Sequence, residues 1–542
     1  MTASGGATGT GGKATGGTTS SGGVTGAGGA SSAGGATGKG GATGAGGTTS
    51  EGGVTGAGGT TGKGGATGGG GTTSAGGTTG AGGTTSAGGT TGAGGGTSTG
   101  VTVKLDSAHQ TIQGFGINDT WASEAVPSSL FSTSGSGIGL SILRIGMSDS
   151  GSDYTSTASA DASMAKSAGG KVIGSCWSPP ANCKSNNNVN DGGHLNSSCY
   201  GSWSDTIVKW AKGHSLYAMS LGNEGDFASC GSNDPCNGNY PTTLFTANEY
   251  VAFIKVAGPK LQAAGIKVIG PEASEWIHTW SNVSAGPDAA GKNSSDPLKC
   301  GCFGMTAASA TNCASTCTSG GGYDYGHWLA KDTAAWAALD ILGVLEYDSQ
   351  RAEPWPSDVS GGKPDKEIWQ TEMSGVKWWA EQGPSSDINN GVAVAGWIHS
   401  ALVDGEASAW LWWWYKAYNT DDNEGLLLKS GTDTKRHYTL GNYSKFVRPG
   451  YVRVDVTGSA PTNVLLSAYK GTDGTVAVVA INKGTSAASV PITISGGTAP
   501  ASCTPNVTSS SDDLKAGTAV TATGGTFTAA LAATTVTTFV CK

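Results

Sequence analysis

Charge is scarce in this chain. Only 13% of its 542 residues are Asp, Glu, Lys or Arg, and 39 acids against 31 bases leave a formal net charge of -8. No basic cluster is available to neutralise a run of phosphates, which excludes a nucleic-acid surface and fits a neutral partner better. Long apolar runs are missing too: none approaches the roughly 20 residues of a membrane span, and the longest are strand-sized. The N-terminus lacks a positively charged, apolar-cored export segment, so an export or lipoprotein signal is expected to have been removed.

Residues 1 to 100 lack nearly everything that builds a core. They are almost entirely Gly, Thr, Ala and Ser, and only Lys13, Lys39, Glu51 and Lys63 are charged. Without apolar periodicity such a segment cannot offset the backbone entropy of ordering, so a flexible tether is expected. Its Gly-rich units lack both the every-third glycine of collagen and the hydrophobic positions of a stacking solenoid.

Cysteine, by contrast, is plentiful. Eleven of them argue for an oxidising compartment, hence a secreted or cell-surface protein with disulfide bonds. Cys503 and Cys541 bracket the C-terminal segment and are expected to pair. Cys300, Cys302, Cys313 and Cys317 crowd one Gly/Ser/Thr-rich insertion, where disulfides are favoured because the spacings fit the rival reading, a structural zinc, only loosely. An odd count leaves one thiol unpaired or intermolecular.

From about residue 112, strand-like apolar runs alternate with longer amphipathic segments, the pattern of a parallel sheet with crossover helices. Eight runs are readable: 111–116, 140–146, 171–176, 216–222, 266–271, 340–347, 367–372 and 408–415. Tyr250, Phe253, Ile254, Ala257 and Leu261 share one helix face, and Pro259 should kink or end that helix early. Eight such units predict a (β/α)8 TIM barrel, with its site at the strands' C-terminal ends. Those ends carry Trp177, Glu224, Glu272, Tyr347, Glu372 and the run Trp412 to Tyr415. Acids that can break a glycosidic bond, gathered with rings that can stack on pyranoses, are what sugar chemistry requires.

Beyond about residue 436 the sequence changes to β-branched alternation, as in Val452 to Val456 and Val476 to Ile481, the mark of a β-sandwich. The expected division is a disordered tether over 1–100, an N-terminal strand over 101–111 lent to the β-domain, a catalytic barrel over 112–435 and an attached side β-sandwich over 436–542.

Several stretches, in order, resemble glycoside hydrolase family 30, most closely its bacterial xylanase subfamily, over essentially all of residues 101 to 495. They are Gln113-Gly-Phe-Gly116, Gly139-Leu-Ser-Ile-Leu-Arg144, Trp177-Ser-Pro-Pro180, Tyr217 to Glu224, Trp369-Gln-Thr-Glu372 and, longest, Tyr443 to Arg453. The resemblance implies a barrel with a side β-domain and a retaining endo-β-1,4-xylanase acting on plant cell-wall xylan. It also implies that Glu224 is the acid/base, Glu372 the nucleophile, and Asn223 the partner of the sugar 2-hydroxyl.

Retention requires the two carboxyls to lie about 5 to 5.5 Å apart, so two strand ends must face each other. Glu224 must hold a proton while Glu372 is ionised, and their repulsion should raise the acid. Glu272 and Glu346 are the competing carboxylates, expected to orient groups in the cleft or to form ion pairs. Trp177, Trp121 and Trp413 are candidate platforms for sugar, with core packing as the rival reading. Strand alternation favours Trp413 in the cleft and Trp412 and Trp414 beneath the helices. Tyr347, Tyr415 and Lys416 are further candidates; Arg144 either orients a catalytic carboxylate or completes a buried ion pair.

One departure matters. Glucuronoxylan-specific relatives hold a glucuronic acid branch with an arginine four residues beyond the tryptophan matching Trp413, and this chain has Ala417 there. Lys416 and Lys377 offer point charges but no guanidinium fork, so dependence on that branch should be weak or absent. The run Asp421, Asp422, Asn423, Glu424 lacks an EF-hand spacing and reads as a solvated loop. No metal or cofactor is expected. The polysaccharide is the expected partner of a monomer, tethered at a cell surface through residues 1 to 100. The alternatives are a family 30 hydrolase of a β-1,6-glucan or galactan and a non-catalytic carbohydrate-binding surface protein, the latter disfavoured because both acids are present.

Overall fold

The computed structural model describes residues 100–190, 192–226, 240–280, 325–347, 352, 355, 365–375, 384–418 and 423–542. The expected tether, the group Cys300 to Cys317, Lys377, Asp421 and Asp422 lie outside these residues. After a strand β1 (Gly100–Thr111), eight parallel strands follow: β2 (Gly114–Asn118), β3 (Ile142–Met147), β4 (Lys171–Cys176), β5 (Ala218–Ser220), β6 (Lys267–Ala273), β7 (Ile341–Leu345), β8 (Glu367–Glu372) and β9 (Ala409–Lys416). Each pairs with the next, β9 pairs with both β8 and β2 to close the barrel, and a short β10 (Gly425–Leu427) extends β9 outside it. The TIM barrel expected from the run pattern is present.

Because both faces of these strands are covered, they are apolar almost throughout rather than alternating. Side-chain parity divides them. Ile142, Ile173, Ala218, Ile269, Ile341, Trp369, Ala409 and Leu411 fill the interior, while Leu143, Val172, Met219, Val268, Leu342, Ile368 and Trp410 belong to the outer core beneath the helices. On β2 the close approach falls at Gly116, where an added Cβ would lie 2.8 Å from Leu411 Cγ and 2.6 Å from the Ile142 carbonyl oxygen. Tyr217 stacks on Trp369 at 5.9 Å between centroids, and the ammonium groups of Lys171 and Lys267 each lie 5.1 Å from the Tyr217 ring.

The helix Ala247–Ala263 opens with a capping box between Thr246 and Glu249 and buries Tyr250, Phe253, Ile254, Ala257 and Leu261. Pro259 does not end it early: the helix runs four residues past the proline. Proline removes one backbone donor, and burial of that continuous apolar face outweighs the loss of a single bond.

The strand-rich C-terminal part begins with β11 (Val452–Ser459), later than the sequence pattern suggested, because Thr434 caps an intervening helix, Lys435–Ser444. There follow β12 (Val464–Lys470), β13 (Val476–Asn482), β14 (Ala488–Ser495), β15 (Ser502–Thr508), β16 (Lys515–Ala516), β17 (Val520–Thr521), β18 (Thr526–Leu531) and β19 (Thr535–Cys541). The sandwich core includes Val103, Val478, Ile492, Phe527 and Phe539. Strand β1 is integral to it, antiparallel to β11 and parallel to β14. The expected disulfide Cys503–Cys541 joins neighbouring strands β15 and β19; a second, Cys183–Cys199, was not anticipated, and Cys176 is a buried free thiol.

Barrel and sandwich are locked together by polar contacts. Thr538 donates to the Asn442 carbonyl at 2.6 Å, and Gln110 donates to the Leu402 carbonyl at 2.6 Å. His109 lies 3.2 Å from Glu406 and 2.6 Å from Asp455, with Arg453 3.3 Å from Glu406.

Candidate active site

Arg144, on the second barrel strand, is completely buried, so its charge must be answered inside the protein. It is answered three times. One guanidinium nitrogen donates to Glu372 Oε2; the other donates to Asn223 Oδ1 at 2.6 Å and Glu272 Oε2 at 3.0 Å. Ser175 adds a bond to Glu272 at 2.8 Å. Burial alone lowers the basicity of Arg144, but the two carboxylates outweigh it and hold the group above its ordinary value.

Glu372 is the last residue of β8, and Tyr347 donates to its second oxygen at 2.9 Å. Glu224 follows β5 with a φ of 48°, its backbone N–H bound to the Glu272 carbonyl at 2.9 Å. The amide of Asn223 lies 3.4 Å from Glu224 Oε2, as does the hydroxyl of Tyr240. A bonded path therefore runs from Glu372 through Arg144 and Asn223 to Glu224. Burial, then repulsion from Glu372 and Asp226, pushes the Glu224 carboxyl well above its ordinary range. Burial also raises Glu372, while Arg144 and Tyr347 pull it back, leaving it at about 7. Two carboxyls that share this space, one provided with a cation and the other not, take up one proton between them before they take up two.

The profile of the Glycosyl hydrolase family 30 beta sandwich domain matches residues 450–539. Glucuronoxylanase XynC of Bacillus subtilis strain 168 is 29% identical over 460 residues, covering 81% of this chain and 91% of that enzyme. A family 30 endoxylanase from Clostridium papyrosolvens C71 superposes with a TM-score of 0.61 at 28% identity, covering 82% of this chain and 100% of the other. The subfamily 8 xylanase Xyn30A from Clostridium acetobutylicum gives 0.62 at 27% identity, covering 82% and 99%. The chain is a glycoside hydrolase similar to family 30 xylanases along most of its length, and its residues 450–539 match that family's β-sandwich domain.

In this hydrolase the aromatic candidates divide. Trp121, held at a φ of 62° and partly exposed, packs against Trp177 at 5.3 Å, Trp413 at 5.9 Å, Tyr154 at 5.3 Å and Tyr240 at 6.1 Å. Trp177 is buried with the Arg144 guanidinium 4.9 Å from its ring centre, so it braces the arginine rather than offering an open platform. Trp412 lies under the helices as expected, its indole donating to the Glu424 carbonyl at 2.7 Å and Arg436 lying 5.4 Å over its ring.

Trp414 does not. The pairing of β2 with β9 steps from Ile117↔Trp412 to Asn118↔Trp414, leaving Trp413 as a bulge. The extra residue breaks the two-residue alternation on which the expectation rested. Trp414 instead stacks on Trp413 at 5.4 Å and 18°, is partly exposed, and donates its indole N–H to the Thr120 carbonyl.

Tyr415 is placed in the apolar core, its hydroxyl donating to the Glu124 carbonyl at 2.7 Å, and Lys416 is paired with the Glu124 carboxylate at 2.8 Å. Both are thus engaged with Glu124, whereas Asn223, Arg144 and Tyr347 are bonded to the two carboxylates. Ala417 is buried and bonds the Leu427 carbonyl through its backbone. Glu272 sits on Arg144 and Glu346 is buried beside Tyr347 in sequence. Asn423 accepts from Arg436 at 2.9 Å and from Asn390 at 3.1 Å, which gives it a structural task. Among the described residues no group of three or more His, Cys, Asp or Glu is arranged to hold a metal ion.

Sequence reasoning missed Tyr240 and Tyr154. Tyr240 ends a Cys/Gly/Asn-rich stretch of sequence after Glu224, and an aromatic closing a stretch that starts at a catalytic candidate was the available signal.

Proposed function

We propose that this hydrolase cuts β-1,4-xylan within the chain by double displacement, with Glu372 as nucleophile and Glu224 as acid/base. The observation that carries the assignment is the unequal support of the two acids: Glu372 receives hydrogen bonds from Arg144 and Tyr347, while among the described residues Glu224 has Asn223 and Tyr240, each at 3.4 Å. The better-solvated anion attacks; the carboxyl with the higher proton affinity delivers the proton.

In the first step Glu372 bonds to the anomeric carbon as the glycosidic bond breaks, and the Glu224 proton goes to the departing oxygen. In the second step Glu224, now a carboxylate, takes a proton from water, whose oxygen displaces Glu372. Asn223, oriented by Arg144, is the group suited to bind the sugar 2-hydroxyl, and the ring of Trp121 is suited to stack on a pyranose face. Proton NMR of freshly released product tests the mechanism: the β anomer is expected first, and initial release of the α anomer contradicts it. Reducing-sugar release on a panel of β-1,4-xylan, β-1,6-glucan and galactan tests the substrate.

Ala417 in place of an arginine supports independence from glucuronic acid branches, and Lys416, engaged with Glu124, does not substitute for it. Comparable turnover on glucuronoxylan and unsubstituted xylan is expected; a preference of several hundredfold for the former refutes this part. The disulfides Cys183–Cys199 and Cys503–Cys541 support an extracellular setting, with residues 1 to 100 as a tether. Deleting the tether should leave turnover of soluble substrate unchanged.

A further inference from the structure

Among the described residues Lys184 is the one lysine that is buried. Taking an ammonium group out of water is costly unless acceptors surround it, so its place in the fold asks for a reason. It follows the short turn Ala181–Cys183 in the loop after β4, and its Nζ donates to the Val189 carbonyl at 2.9 Å and to the Thr242 carbonyl. Those acceptors belong to different segments of the chain: one lies in the loop itself, the other two residues beyond Tyr240.

The loop is a small cross-linked plate. Cys183 is bonded to Cys199, the Asn196 N–H donates to the Cys183 carbonyl at 2.8 Å, and the Ser185 N–H donates to the His194 carbonyl at 2.9 Å. The segment from Tyr240 to Leu244, outside any named strand or helix, lies along this plate. Its Thr242 N–H donates to the Val189 carbonyl at 3.2 Å, its Leu244 N–H to the Gly193 carbonyl at 2.9 Å, and its Thr242 hydroxyl accepts from the Gly192 N–H at 2.8 Å. His194, 2.8 Å from Glu249, ties the plate to the helix Ala247–Ala263.

What this arrangement presents is Tyr240. Its hydroxyl reaches Glu224 Oε2 at 3.4 Å, and its ring packs against Trp121. A contact at the long end of the hydrogen-bond range is lost with a small further shift, so the hydroxyl serves Glu224 only where its backbone is fixed.

We propose that Lys184 is a positioning residue for the proton donor: by tying the loop after β4 to the segment that carries Tyr240, it sets the Tyr240 hydroxyl against Glu224. The inference rests on the reading of Glu224 as the acid/base. As Glu224 gives its proton to the departing oxygen, the Tyr240 hydroxyl stabilises the carboxylate that forms.

The experiment records kcat/KM against pH on soluble xylan for the full chain, Lys184→Met, Tyr240→Phe and the two combined. Glu372, Tyr347, Arg144, Glu272 and Asp226, which also face Glu224 or hold its backbone, are left unchanged. Each single variant is expected to lose about three- to tenfold, the worth of one hydrogen bond. Each should also move the alkaline limb to higher pH, because the Tyr240 hydroxyl favours the ionised form of Glu224. Loosening that merely admitted water would relieve burial and move the limb the other way. The combined variant should lose no more than the worse single one, since both break the same path. Should Lys184→Met not fold, Cys183→Ser together with Cys199→Ser loosens the same plate and takes its place. Additive losses, or an alkaline limb that stays put or falls when the plate is loosened, overturn the proposal. Full activity in Glu224→Gln sinks the acid/base reading and this inference with it, an outcome distinct from a crippled Glu224→Gln beside a Lys184→Met that behaves independently of Tyr240.

Discussion

Tyr347 donates its hydroxyl to Glu372 at 2.9 Å, on the oxygen that Arg144 leaves unbound. The bond favours the ionised carboxylate and opposes the effect of burial, which otherwise raises Glu372. In Tyr347→Phe the Glu372 proton affinity rises, so the acidic limb of the kcat/KM profile moves to higher pH. The rate below that limb drops by about tenfold or more, as expected for losing a hydrogen bond to a charged group. A pH–rate series on soluble xylan checks both; an acidic limb that stays put contradicts the nucleophile assignment.

Glu224→Gln removes the proposed proton donor without changing its shape. A fall in kcat of about 10²- to 10⁴-fold on xylan is expected, with a much smaller fall on aryl xylosides whose leaving groups need little protonation. The alkaline limb, which reports deprotonation of Glu224, should vanish with it. Equal losses on both substrates would assign the acid role elsewhere.

Arg144→Ala leaves buried carboxylates facing one another and is expected to cost about 3 to 5 kcal/mol of stability. The pH dependence has a definite sign. Glu372, already raised to about 7, rises further without the guanidinium. A carboxyl whose folded-state value exceeds its unfolded one contributes stability at low pH that is lost as pH rises through the folded value. The deficit relative to the parent chain is therefore smaller at about pH 5 than at about pH 8. Urea titrations at both values measure it, and Arg144→Lys should not restore the parent, since an ammonium cannot reproduce the fork.

Replacing Cys503 and Cys541 together by Ser opens a loop of sequence separation 38. By chain-entropy arguments this costs about 4 kcal/mol. The bond lies in the sandwich, far along the chain from both acids, so Tm should fall while kcat/KM on soluble xylan at room temperature is retained. Calorimetry and a parallel rate assay separate the two effects.

Much of the fold was legible because buried parallel strands leave a simple trace: short apolar runs such as 171–176 and 367–372, whose expected bounds coincide with β4 and β8. The strand-end rule then gathered Glu224, Glu272 and Glu372 as candidates, and only the resemblance to glycoside hydrolase family 30 set Glu224 and Glu372 apart from Glu272. What escaped depends on contacts with no sequence period. Trp414 is turned by a bulge, a one-residue change of register that leaves the composition of the strand untouched. Pro259 survives in a helix because of packing on the opposite face, which local propensity does not weigh. Cys183–Cys199 joins the turn after Trp177-Ser-Pro-Pro180 to the start of the next helix, and spacing alone does not distinguish that pairing from others. Arg144 was seen as a candidate with two rival tasks; the structure shows it bonded to Glu272, Asn223 and Glu372 together, because one guanidinium has donors enough for all three.

Strand β1 lies between β11 and β14 in a sheet whose other members all come from residues 452 to 541. Val103 finds Val456 and Ile494 only across more than 350 intervening residues. On the ribosome, the first strand of the folded region must wait, unpaired, until almost the whole polypeptide has emerged. A nascent chain stalled or cleaved before that point presents a bare template for β-aggregation, so a vulnerable interval during biosynthesis is written into the wiring of the sheet.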